Sequence, residues 1–136
     1  MKKVCLRQRG FTFIEMLVVV TIIAVLTMVG IANFRVANQK ARDGRRQGDL
    51  EQIRAALEMY RTDLKVYPTT GNLSLLTPSY IGTIPADPTT GRLYRYTSAT
   101  GAIYTLCAAL ELGGTDTCSG NCGTGITCNY KISNPL

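Results

Sequence analysis

The sequence contains no histidine and no tryptophan. Without histidine, the chain lacks the side chain that most often acts as a general base and binds transition metals. No clustered carboxylates, no phosphate-binding loop and no serine beside an obvious base take its place. The residues therefore predict no catalytic site, no resident metal and no cofactor, and an enzyme is the least favoured class of function.

Acidic residues are missing from the first ten positions, where Lys2, Lys3, Arg7 and Arg9 all carry positive charge. These four residues supply most of the formal net charge of +6, and the remaining chain is nearly balanced. The basic excess is therefore a property of the N-terminal tip and does not by itself indicate a polyanion-binding domain.

Charge is almost absent from residues 11–32, where Glu15 is the single ionised side chain. The length matches the ~20 residues that cross a bilayer, and the hydroxyls of Thr12, Thr21 and Thr27 can bond to the helix backbone. A secretory signal peptide fits poorly, because the apolar run is too long and no A-x-A-like site follows it. We interpret the run as a membrane helix whose basic flank keeps the N-terminus in the cytoplasm.

Proline is also absent from residues 34–63, which are mostly good helix formers. An apolar stripe with steps of three and four predicts one buried helix face: Leu50, Ile53, Leu57, Tyr60 and Leu64. The preceding charged stretch, "RVANQKARDGRRQGDLEQ" (35–52), is expected to be solvated or interfacial.

After Pro68 ends the helix, a loop leads to three strand-like runs at residues 92–98, 102–110 and 127–133. Three strands form a viable sheet only if one face is covered, and the helical stripe is the available cover. The predicted fold is α+β: a long N-terminal α-helix, with a membrane half and an amphipathic half, packed on a small C-terminal three-stranded antiparallel sheet.

Four of the five cysteines crowd the last 30 residues: Cys107, Cys118, Cys122 and Cys128. Disulfides are expected if this part lies outside the cytoplasm, and a four-thiolate zinc site is the alternative. Because Cys107 and Cys128 lie in strand-like runs that flank a Gly-rich loop, we predict that they pair. Cys118 and Cys122 would then close the small "CSGNC" loop.

The stretch "RGFTFIEMLVVVTIIAVL" (9–26) resembles the processing and assembly signature of type IV pilin-like prepilins. A basic leader ends in Gly10, and Phe11 and Glu15 follow at the spacing of that family. Residues 50–70 ("LEQIRAALEMYRTDLKVYPTT") and 81–98 ("IGTIPADPTTGRLYRYTS") are similar to the major pseudopilins of type II secretion and related bacterial type IV pilins.

This resemblance implies a structural filament subunit. Prepilin peptidase would cut between Gly10 and Phe11 and N-methylate Phe11, and Glu15 would pair with the Phe11 amine of a neighbouring copy. Other implied partners are minor pilins and an inner-membrane assembly platform with a cytoplasmic ATPase; the precursor would lie in the inner membrane and the filament outside the cytoplasm. The expected organisation is a leader (1–10), a membrane and assembly helix (11–32), an amphipathic helix (33–64) and a globular domain with a cysteine-rich end (65–136).

The resemblance to type II secretion pseudopilins also implies an acidic, calcium-binding loop near the C-terminus. The last 25 residues contain a single acid, Asp116, whereas calcium takes six to eight oxygen ligands, several of them normally carboxylate. Calcium is therefore not expected in this chain.

Two other functions stay open. A competence-type pilin for DNA uptake would present Arg42, Arg45 and Arg46 on a filament surface, although no interleaving of basic and aromatic residues typical of single-strand binding is present. Nucleic acid is expected as a partner only in that case. A non-filament single-pass membrane adaptor would keep its Gly10–Phe11 bond uncut.

Overall fold

The computed structural model describes residues 10–114, 116 and 118–134. The basic leader residues Lys2, Lys3, Arg7 and Arg9 lie outside these. The described chain forms one α-helix, α1 (Phe13–Leu64), a short 3-10 helix (Leu73–Leu76) and three strands, β1 (Arg95–Thr97), β2 (Thr105–Ala108) and β3 (Tyr130–Ser133). The chain divides into two compact units, Met1–Ala37 and Asn38–Leu136.

The N-terminal part of α1 is apolar and exposed. It is long and apolar enough to cross a membrane, and none of its most apolar window is buried within the chain. Inside it, the hydroxyls of Thr21 and Thr27 donate to the carbonyl oxygens of Val18 (2.8 Å) and Ile23 (2.7 Å), so these polar groups are satisfied by the helix backbone as predicted. An exposed apolar surface of this extent indicates that lipid or other apolar helices surround it.

The core of the second unit lies between the second half of α1 and the sheet. The strands are antiparallel in the order β1-β2-β3, and one row across them is buried: Tyr96, Leu106 and Ile132 stand opposite one another. Three residues of the predicted helical stripe, Leu50, Ile53 and Leu57, pack into the same core. The helix thus covers the sheet, which confirms the predicted α+β fold.

The elements differ from the predictions at their ends. All three strands are shorter than the runs 92–98, 102–110 and 127–133, because flanking residues bond outside the ladder; the Leu93 N–H, for example, donates to the carbonyl of Cys122 at 2.9 Å. Leu64, predicted to be buried, is about half exposed because it is the last residue of α1.

Acidic residues of α1 accept hydrogen bonds from tyrosine hydroxyls of the globular domain. Asp49 accepts from Tyr94, Glu58 from Tyr67 and Tyr104, and Asp63 from Tyr80, at 2.7–3.1 Å. Burial raises the pKa of Tyr94 and Tyr104, so these hydroxyls remain donors at neutral pH. These directional hydrogen bonds surround the apolar core and stabilise the packing of α1 against the rest of the globular domain.

A buried arginine joins α1 to two other segments. The side chain of Arg46 is fully buried, and its five N–H groups donate five hydrogen bonds of 2.7–3.0 Å. The acceptors are both carboxylate oxygens of Asp87, one oxygen each of Asp43 and Glu111, and the hydroxyl of Thr89. We call these five side chains the Arg46 cluster.

The cluster also holds the backbone that follows β2. The Asp43 carboxylate accepts the N–H groups of Glu111 (2.8 Å) and Leu112 (2.9 Å). The prediction that residues 35–52 are solvated or interfacial is therefore wrong for Asp43 and Arg46. Both lie on the buried face of α1, seven and four residues before Leu50.

The four C-terminal cysteines form two disulfides, Cys107–Cys118 and Cys122–Cys128. The disulfide prediction is confirmed and the zinc alternative is wrong, because a disulfide sulfur is not a thiolate ligand. The predicted pairing is also wrong. The β2–β3 register places Cys107 opposite Lys131, and Cys128 precedes β3.

Local structure accounts for the observed pairs. A bridge between Asn121 and Thr127 brings Cys122 and Cys128 together, with 5.1 Å between their Cα atoms. The loop after β2 returns to bring Cys118 to Cys107, at a Cα separation of 6.2 Å. All four cysteines lie in a second, smaller buried cluster with Ala109.

We predict that replacing Cys107 and Cys118 together by alanine lowers the free energy of unfolding by about 3 kcal/mol, and that replacing Cys122 and Cys128 lowers it slightly less, because the second loop is shorter. Thermal unfolding followed by tyrosine near-UV circular dichroism measures this. Non-reducing peptide mapping should yield the two observed pairs, and a Cys107–Cys128 peptide would contradict the structure.

We also predict acid sensitivity from the Arg46 cluster. The hydrogen bond from Arg42, with that from Arg46, lowers the pKa of Glu111 from 4.5 to about 2, so the folded state favours the ionised form. The resulting stabilisation is present above pH 4.5 and is lost as the pH falls towards 2. Glu111→Gln should reduce the pH slope of stability in that window by up to about 1.4 kcal/mol per pH unit. Unfolding measured across this range checks this, with Glu51→Gln as the control because Glu51 is exposed and lies outside the Arg46 cluster; equal slopes for both variants would refute the assignment.

Candidate functional site

The predicted cleavage site lies just before α1 begins. Gly10 and Phe11 are both exposed and non-helical, and Phe11 as a whole residue is about four-fifths exposed. Apart from Gly10 itself and its two chain neighbours, no described atom lies within 4 Å of the place where a Cβ on Gly10 would stand. The described fold therefore does not require glycine at this position.

Thr12 caps the helix that follows. Its hydroxyl oxygen accepts the N–H of Glu15 at 3.3 Å, and its carbonyl accepts the N–H of Met16 at 3.3 Å. Thr12 and Glu15 have the S/T-x-x-E spacing of a capping box. This spacing is a signal in the sequence itself that identifies Thr12 as the start of the helix, beyond its role as a hydroxyl that must be satisfied.

Glu15 is exposed on the first turn of α1, among apolar side chains. Within the described residues it forms no ion pair. The helix dipole favours a carboxylate there by about 0.3–1 kcal/mol, whereas a charge deep in a bilayer costs about 2.5–3.5 kcal/mol on insertion scales. The capping position alone therefore compensates only part of the cost of placing this charge in an apolar environment.

The basic residues considered for DNA binding do not form a common surface. Arg46 is buried in its cluster, and Arg42 makes a two-bond ion pair with Glu111 at 2.6 and 2.7 Å. Only Arg45 of the three is exposed. The expectation that all three line a filament surface is wrong, because two are engaged by carboxylates of the same chain.

The described residues near the C-terminus do not fit a calcium ion. Both carboxylate oxygens of Glu111 are taken by arginines, and Asp116 is exposed. The sulfurs of the same region are consumed in disulfides. The hard oxygen ligands that calcium needs are therefore either committed to guanidinium groups or too few.

Comparison with known proteins agrees with the N-terminal site. Residues 5–31 match the family model described as the prokaryotic N-terminal methylation motif. This match contains Gly10, Phe11 and Glu15. No solved structure matches the chain significantly.

Full-length relatives extend the match to most of the chain. The type II secretion system core protein G of Vibrio cholerae serotype O1 is 34% identical over 129 residues, covering 82% of this chain and 88% of the relative. That of Pseudomonas aeruginosa is 31% identical, covering 81% and 90%, and that of Escherichia coli K12 is 37% identical, covering 60% and 67%. The chain therefore belongs to the type II secretion system core protein G family, the major pseudopilins.

Proposed function

We propose that this chain, a structural subunit of a type II secretion pseudopilus, is processed and assembled through residues 10–15. Prepilin peptidase cuts the inner-membrane precursor between Gly10 and Phe11 and N-methylates Phe11. An assembly platform with a cytoplasmic ATPase then moves the subunit from the membrane into a helical filament of identical copies, together with minor pilins. Before assembly the N-terminus faces the cytoplasm and the globular domain lies on the other side of the membrane.

The surroundings of Gly10 support the cleavage step. The bond between Gly10 and Phe11 lies in exposed, non-helical backbone, where a protease can bind it in an extended form. The described fold leaves room for a side chain on Gly10. A need for glycine at this position would therefore be set by the protein that recognises the cleavage site, not by the fold of this chain.

The position of Glu15 is the main support for the assembly step. Cleavage creates a positive amine on Phe11, four residues and about 6 Å of helical rise away from Glu15. The carboxylate has no ion-pair partner among the described residues, so the amine of a neighbouring copy, displaced along the filament, is a suitable counter-ion. Because either charge left alone in an apolar bundle is strongly unfavourable, the pair also sets the register between subunits.

The geometry does not favour the competence-type function. Arg42 and Arg46, two of the three basic residues on which that alternative depended, bond to Glu111, Asp87 and Asp43. The alternative of a passive membrane adaptor does not explain why Glu15 follows Gly10 by five residues as the single charge of the apolar run.

We predict that intact mass spectrometry of assembled filaments shows a mature chain that begins at methylated Phe11. Gly10→Val should leave the precursor uncut, because the substitution blocks recognition while the described fold accommodates it. Unchanged tyrosine near-UV circular dichroism of the variant would establish that its globular domain is folded. Assembled material that begins at Met1 would contradict the proposal.

We predict that Glu15→Val is inserted and cleaved normally but does not polymerise efficiently, because the neighbour's amine loses its counter-ion. Shearing and quantifying filaments, with mass spectrometry of the membrane-bound subunit, separates assembly from processing.

Two control variants distinguish pairing from helix capping. Thr12→Val removes the capping oxygen but keeps the carboxylate and should assemble. Glu51→Val removes an exposed carboxylate farther along α1 and should also assemble. If Glu15→Val polymerises as well as the unmodified chain, or if Thr12→Val fails in the same way, pairing is not the role of Glu15.

A further inference from the structure

We propose that the Arg46 guanidinium is an internal cation that fastens the globular domain together, so that its folded state does not depend on a bound divalent cation. The segments it joins are α1, the loop between α1 and β1, and the segment that follows β2. The described residues do not fit the calcium site implied by the resemblance, and the Arg46 cluster provides a different means of joining these segments.

The acceptors around Arg46 converge from parts of the chain that are far apart in sequence. Asp43 lies on α1 itself, whereas Asp87, Thr89 and Glu111 lie 41, 43 and 65 residues after Arg46. All five contacts are to oxygen atoms. An oxygen set gathered from several segments is also what a hard metal ion requires, but here a guanidinium occupies its centre.

The hydrogen bonding of this cation is complete. A guanidinium has five N–H donors in a fixed planar fork, and each has an acceptor in the cluster. Among the described residues, no buried side-chain nitrogen or oxygen is left without a partner. The desolvation penalty of the buried charge is therefore offset as fully as the geometry allows.

The carboxylates depend on the arginine in turn. The side chains of Asp87, Asp43 and Glu111 are only 1%, 10% and 12% exposed. Without Arg46 they would be three negative charges brought close together away from water, with only the half-exposed Arg42 as a counter-ion. Like charges in that environment oppose the docking of both segments onto α1.

Lysine should not replace Arg46 fully. An ammonium group has three donors and no planar fork, so at least two of the five oxygens would lose their bond. If the directional bonds matter as well as the charge, Arg46→Lys should therefore lower Tm by less than Arg46→Met does.

The test uses the processed full-length protein in detergent. All seven tyrosines lie between residues 60 and 130 and the chain has no tryptophan, so tyrosine near-UV circular dichroism reports on the globular domain and not on the membrane part of α1. We expect Tm to be unchanged by excess EDTA and by millimolar calcium. A fall in Tm with EDTA, reversed by calcium, would overturn the proposal.

Two arginine variants test the cation itself. Arg46→Met should lower Tm by at least about 10 °C, Arg46→Lys should lower it by less, and calcium should restore neither. The matched control is Arg45→Met, the same change at the exposed neighbouring residue, which should leave Tm almost unchanged. Equal Tm values for Arg46→Met and Arg45→Met would overturn the proposal.

A second substitution separates charge balance from packing and remains informative if Arg46→Met folds poorly. Asp87→Asn should lower Tm in the unmodified chain, because Arg46 loses its two-bond partner. In the Arg46→Met chain the same change should raise Tm, because it removes a buried charge that has lost its cation. If Asp87→Asn lowers Tm equally in both chains, Asp87 acts independently of Arg46 and the internal cation is not what holds these segments.

Discussion

The arrangement of the globular domain depends on one buried cation and the oxygens that surround it. Arg46 places a full positive charge in the interior, where a charge that loses a partner costs about 3–5 kcal/mol. Its acceptors come from α1, from the loop before β1 and from the segment after β2. A partly assembled cluster is therefore strongly unfavourable, and the three segments are expected to dock together or not at all.

The disulfides act on the same region by a different mechanism. Glu111 and Leu112, whose N–H groups bond to Asp43, lie inside the loop closed by Cys107–Cys118. The disulfide restricts the loop in the unfolded chain, while Asp43 docks it on α1 in the folded one. A domain with three short strands buries a modest apolar core, and small domains commonly need such additional constraints.

Arg46 and Glu15, two charged residues of α1, differ in whether the described part of the chain supplies a partner for the charge. Arg46 has every hydrogen-bond partner within its own chain, and its role is completed by folding. Glu15 has no ion-pair partner among the described residues, and its surroundings are exposed apolar side chains. The first charge therefore stabilises the fold of one subunit, and we propose that the second sets how neighbouring subunits meet.

Composition and periodicity alone predicted the long apolar helix, the helix that follows it and the number of strands, and the resemblance to pilin-like prepilins identified the Gly10–Phe11–Glu15 motif. These features are local: apolar length, spacing along one helix face and alternation within a strand are visible in short windows. The spacing also contained an unused signal. Asp43 and Arg46 continue the steps of three and four that run through Leu50, Ile53 and Leu57, which would place them on the buried face.

Tertiary structure alone decided the cysteine pairing and the burial of Arg46. The pairing depends on the β2–β3 register and on how the loop after β2 returns, and neither is encoded in the spacing of the cysteines. A charged residue is exposed by default, and it becomes favourable inside only when enough partners converge on it. Apart from Asp43, which lies three residues away on α1, the partners of Arg46 lie 41 to 65 residues away, so only the folded chain brings them together.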